Sequence, residues 1–192
     1  MFETALILGN GKSRRNADLS TLIGTSAIYG CNLAYKEDYP FEWIVATDPA
    51  IQHQIYREYD GNKLFLDWNS VPSEMAVAFE AFDTMNESNE YTPHGCVISG
   101  EGNTTVMTYL KEDDNCLTVE ESQLPFEMAA GSLAMWDAAE RGFKTIHLAG
   151  FGDVDHLHDQ KLMNDDGRRL IRWEQERKEI MRMYDDINWI YL

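Results

Sequence analysis

The stretch Ala5-Leu6-Ile7-Leu8-Gly9-Asn10-Gly11-Lys12-Ser13-Arg14-Arg15 decides the reading of the fold. Four apolar residues end abruptly in a Gly-Asn-Gly loop. That is the pattern of a buried strand followed by a turn whose backbone needs unusual angles or close approach. Further along, Ser26 to Gly30 and Trp43 to Thr47 read as a second and third strand, each followed by a polar residue, Asn32 and Asp48. Pro49 opens a helix with Ile51, Ile55 and Tyr59 on one face, and Lys63 to Leu66 forms a fourth strand. Ser73 to Met85 predicts a second amphipathic helix. Glu127 to Arg141 predicts another, stopped by Gly142, and Thr145 to Ala149 a strand that runs into Gly150-Phe151-Gly152-Asp153. A final helix is expected over Asp166 to Ile187.

Strands alternating with helices predict an α/β fold with a doubly wound, mostly parallel sheet. In such folds ligands sit beyond the carboxyl ends of the strands, where the polar residues above fall. Between about 91 and 123 the texture changes. Thr104 to Leu110 and Cys116 to Glu120 flank an acidic turn, which predicts a β-hairpin inserted in one domain spanning residues 1–192.

The chain has 192 residues, 44% hydrophobic and 26% charged, an ordinary globular balance for one domain. Lys plus Arg number 16 against 33 Asp plus Glu, for a net charge of −17. A surface this acidic repels phosphate backbones and excludes non-specific nucleic-acid binding, while leaving room for a small anion in a locally positive pocket. Three dispersed cysteines without a CxxC pair read as reduced thiols of a cytoplasmic protein. No signal-peptide pattern and no membrane-length apolar run is evident.

Several residues carry candidate chemistry. The amides of the Gly9–Ser13 loop are suited to an anion nest, with Lys12, Arg14 and Arg15 adding local positive charge; the alternative is a tight turn with solvated basic residues. Neither a Walker loop nor a full dinucleotide fingerprint is present. Gly131-Ser132 opens a helix, so Ser132 either helps hold phosphate or merely caps the helix. Asp153-Val154-Asp155 has the form of a DxD pair that binds Mg or Mn, or else is a solvated acidic loop. His156 and His158 are candidate general bases, and a zinc site built on them lacks an evident third ligand. Arg168, Arg169 and Arg172 at the head of the last helix meet phosphate or an acidic sugar or, as the favoured reading, pair with Glu174 and Glu176, and Trp173 reads as core in preference to a sugar-stacking platform.

Taken as an ordered series, Gly9-Asn10-Gly11-Lys12-Ser13, Gly30-Cys31-Asn32, Thr47-Asp48-Pro49 and Ala130-Gly131-Ser132-Leu133 leading to Gly150 resemble two related groups. One is the bacterial sialyltransferases that use CMP-sialic acid. The other joins archaeal-type 6-hydroxymethylpterin pyrophosphokinases to motility-accessory glycosyltransferases. The resemblance spans about residues 5–59 and 128–155. Lys12 stands where proline is usual, Asp48 where the sialyltransferases have asparagine, and Gly152 precedes Asp153 where Gly-x-Asp is common.

The resemblance implies a Rossmann-like nucleotide-binding domain, with Gly9, Asn10, Gly11, Ser13, Asn32, Asp48, Gly131 and Ser132 around a nucleotide or nucleotide-sugar, CMP-type favoured. It implies transfer of a sugar from that donor to a hydroxyl acceptor, with His158 or His156 as base and Asp153, alone or with Asp155, handling metal or acceptor. A metal-dependent pyrophosphokinase and a non-catalytic nucleotide- or partner-binding module are the alternative functions. Oligomeric state is not readable from these residues.

Overall fold

A computed structural model describes residues 2–67, 71–72, 96–101, 104–109, 115–152, 157 and 168–192. These fall into two compact units, Met1–Val45 with Met128–Leu192, and Ala46–Glu127.

The first unit is a parallel sheet. Strands β1 (Thr4–Leu8), β2 (Ala27–Cys31), β3 (Phe41–Ala46), β9 (Thr145–Ala149) and β10 (Asn188–Tyr191) lie in the order β10-β9-β1-β2-β3, every neighbouring pair parallel. Ala5 to Leu8 and Ala27 to Cys31 are buried throughout, which is why they read as unbroken apolar runs rather than alternating ones. The chain leaves β1 toward β2 on one side and returns later to β9 on the other. The switch in direction therefore falls between β1 and β9, where α/β folds open a crevice.

Helix α2 (Ala130–Glu140) and helix α3 (Arg168–Met183) belong to this unit. Leu133, Ala134, Met135 and Ala138 of α2 have no exposure at all. Gly142 ends α2 as expected: at φ 84° its N–H reaches the Ala139 carbonyl (2.9 Å) and Phe143 N–H reaches that of Ala138 (3.3 Å), a Schellman closure.

In the second unit, α1 (Pro49–Glu58) precedes β4 (Lys63–Asp67). The fully buried Gln52 donates from Nε2 to the carbonyls of Ala46 and Leu66, 2.9 Å each. Strand β8 (Cys116–Glu120) pairs parallel with β4, whereas β7 (Thr104–Tyr109) pairs antiparallel with β6 (Cys96–Glu101) and β5 (Val71–Pro72).

The class is thus the α/β, mostly parallel, Rossmann-like one predicted, with three differences. The antiparallel partner of 104–109 is 96–101 and not 116–120, because β8 finds a parallel neighbour some fifty residues back. Helix α2 begins at Ala130 rather than Glu127. Helix α3 ends at Met183, and the residues after it form the unpredicted strand β10. The helix expected over Ser73 to Met85 lies outside the described residues.

Candidate functional site

The carboxyl ends of β1, β2 and β9 and the start of α2 surround one open cavity of about 540 Å³, counting solvent at its mouth. Gly9 and Asn10 follow β1, Cys31 and Asn32 end β2, Gly150 to Gly152 follow β9, and Ala129 to Ser132 open α2. Trp173 and Arg177 of α3 complete the lining.

Two loops are locked together behind it. Gly9 N–H donates to the Ala149 carbonyl (2.8 Å) and Gly11 N–H to that of Gly150 (3.0 Å). A Cβ on Gly9 would meet the Gly150 oxygen at 2.5 Å, and Gly150 itself sits at φ 78°. The two glycines therefore serve the approach of one backbone to another. The amides of Gly9 and Gly11 are thereby spent on carbonyls and are not open to an anion.

The open donors lie elsewhere. Ala129 precedes α2 without a side-chain cap, and the first intrahelical bond runs from Leu133 N–H to Ala129 O (2.8 Å). The amides of Ala130, Gly131 and Ser132 thus stand at the positive end of the helix dipole, beside the cavity. Ser132 is buried in the third helical position, so the reading of it as an N-cap is overturned. Glu176 takes the Ala129 N–H on one oxygen (2.9 Å) and Arg172 Nε on the other (2.8 Å), which realises the ion pair expected for Arg172.

Asn32 is the one non-glycine residue with positive φ (52°) among the described residues. Its Oδ1 is buried and accepts no hydrogen bond among the described residues. Asparagine tolerates this left-handed conformation better than most residues, at some cost in strain, and such strain collects at functional sites. Asn10 is buried, and its backbone carbonyl accepts from Leu157 N–H (2.7 Å).

Cys31 is free and fully enclosed, and burial pushes its thiol up to about 12, with Arg14 opposing slightly. Arg14 is buried and paired with Glu37, while Lys12 and Arg15 point to solvent. The three basic residues of the loop thus do not act as one cluster.

Of the predicted residues, Gly9, Asn10, Asn32, Gly131 and Ser132 line the same cavity. Gly11 and Ser13 do not line it; Gly11 is buried and Ser13 exposed. Asp48 belongs to the second unit, where its Oδ1 accepts the Ile51 N–H (3.2 Å) at the start of α1. Asp153, Asp155, His156 and His158 lie outside the described residues. Among the described residues no three His, Cys, Asp or Glu side chains gather as a metal set, and no helix is long and apolar enough to cross a membrane.

Three lining side chains were not anticipated as such. Phe151 is the unspecified residue of the glycine loop, Trp173 was read as core, and Arg177 had no distinguishing signal within a charged helix.

No family model and no curated protein sequence matches the chain. Two solved structures do. The sialyltransferase CST-II, determined with a trisaccharide acceptor and CMP, superposes with a TM-score of 0.55 at 14% identity, over 98% of this chain and 80% of that one. The monofunctional alpha-2,3-sialyltransferase Cst-I from Campylobacter jejuni gives 0.53 at 16%, over 100% of this chain and 76% of that one. The likeness is one of fold.

Proposed function

We propose that the protein is a nucleotide-dependent glycosyltransferase of sialyltransferase type, moving a sugar from a CMP-type nucleotide-sugar donor to a hydroxyl acceptor. The observation that carries this reading is the convergence of Gly9–Asn10, Asn32 and Gly131–Ser132 on one cavity at the switch point of the sheet. Three open amides at the head of α2 suit a phosphate or a carboxylate, and the buried acceptor on Asn32 suits a base amino group or a ribose hydroxyl. Two transferases of known fold share this architecture, one of them with CMP bound.

In this mechanism the chain's contribution is positioning, together with stabilisation of charge on the departing phosphate by fixed dipoles. His158, or its neighbour His156, takes the acceptor proton. A divalent ion, if the reaction uses one, falls to Asp153 and Asp155, where it would neutralise phosphate charge.

A thermal-shift screen of CMP, UDP, GDP, CDP and ATP, each with and without Mg²⁺, tests the reading. Stabilisation by CMP irrespective of metal is the expected result. Metal-dependent stabilisation by ATP alone would move the assignment to a phosphotransferase, and no response to any nucleotide would leave a non-catalytic module.

A further inference from the structure

Arg177 projects from α3 into the same cavity and is only 8% exposed. Its guanidinium lies 5.6 Å from the centre of the Phe151 ring, within cation–π range. Among the described residues its buried Nε has no hydrogen-bond partner. The carboxylates nearest in sequence are already engaged, Glu176 with Arg172 and the Ala129 amide, Glu174 with Lys178 at 2.6 Å. A guanidinium is charged at any working pH; Arg177 shares the field of Glu174, which Lys178 already holds, and among the described residues its buried Nε lacks an acceptor, which is expensive.

The same cavity is lined by the head of α2, with the open amides of Ala130, Gly131 and Ser132. We infer that Arg177 is a specificity-determining binding residue: with the head of α2 it forms a subsite for one oxyanion of the ligand, phosphate or carboxylate. The Nε edge of a guanidinium forms half of the fork that grips two oxygens at once, which matches either group. The identity of the ligand carrying that oxyanion rests on the nucleotide reading, whereas the subsite itself can be tested without it.

Arg177→Met keeps the length of the stem and removes the charge. Thermal midpoints of the wild type and variant are measured against inorganic phosphate and against acetate, at constant ionic strength. The wild type should show a saturable rise with at least one anion, phosphate and acetate thereby separating the two sources. The variant should lose that response, the apparent affinity falling about 10- to 100-fold. Without anion its midpoint should rise by about 2–4 °C, since a buried guanidinium with an unsatisfied Nε is gone.

If Arg177 were only a packing element over Phe151, the variant would instead lose stability and keep the anion response. That result overturns the subsite, as does a wild type indifferent to both anions. Should the Met variant fail to fold, Arg177→Gln reads the same loss.

Calorimetric titration of CMP and cytidine then separates the two claims. An anion response dependent on Arg177 with no CMP binding sinks the nucleotide reading alone. CMP binding equal in both proteins, with unchanged anion response, sinks the role of Arg177 alone.

Discussion

The two ends of helix α2 make opposite use of polar groups. At its last turn Asp137 accepts from Tyr29 Oη (3.0 Å) and Arg141 Nε (2.7 Å), and the Arg141 guanidinium covers the Trp43 ring at 4.4 Å. Each charge there has a partner, and burial beside Asp137 drives the Tyr29 phenol far above its ordinary value. At the first turn there is no side-chain cap, and among the described residues Asn32 Oδ1 and Arg177 Nε nearby lack partners. The closed end holds strands and helix together. The open end keeps donors and an acceptor ready at a cavity, so its polar groups cost stability until a ligand arrives.

Asp137→Ala should separate these roles with the largest effect. It strands the Tyr29 hydroxyl and Arg141 and should lower unfolding free energy by about 3 kcal/mol in urea melts. Ligand affinity of the folded fraction should not change. A loss of binding without loss of stability would erase the distinction between the two ends.

Asn32→Gly works on the open end. Glycine accepts the positive φ without strain, so stability should hold to within about 1 kcal/mol, while CMP affinity falls about tenfold, or about 1.4 kcal/mol. The reverse pattern, a destabilised protein with intact affinity, would make Asn32 structural.

Alkaline pH probes the enclosure behind the cavity. Burial raises both the Cys31 thiol, to about 12, and the Tyr29 phenol, so the folded state holds these protons more tightly than the unfolded chain. Their contribution is complete below the unfolded values, roughly 8.5 and 10, and fades as pH rises from there through the folded ones. Stability should drop by about 1 kcal/mol by about pH 9.5, and Cys31→Ala should flatten that early slope. A profile level to pH 10 would mean that Cys31 is not enclosed.

Much of the first unit was legible because its signals are local. An unbroken apolar run before Gly9, a glycine stop at Gly142 and paired glycines after β9 each carry their cause within a few residues. Strand β10 was missed because Asn188-Trp189-Ile190-Tyr191 follows α3 after only a four-residue turn and is too short to show a period. The inserted hairpin forms as expected between 91 and 123, but from 96–101 and 104–109, whereas β8 pairs with β4 through a register that no local pattern encodes.

Within the site, the loop residues Asn10 and Asn32 were legible from turn chemistry, but the reason for Gly9 was not: its missing Cβ makes room for the Gly150 carbonyl. Arg177 was invisible because a helix-borne arginine reads as a solvated charge, and only tertiary packing sets it beside Phe151 with the cavity in front.

Calorimetric titration of CMP into the wild type, Asp137→Ala and Asn32→Gly proteins tests the central claim most directly. The account predicts one saturable site in the wild type, retained by the folded Asp137→Ala protein and weakened about tenfold by Asn32→Gly. Absence of CMP binding in the wild type, or affinity untouched by Asn32→Gly, would contradict it.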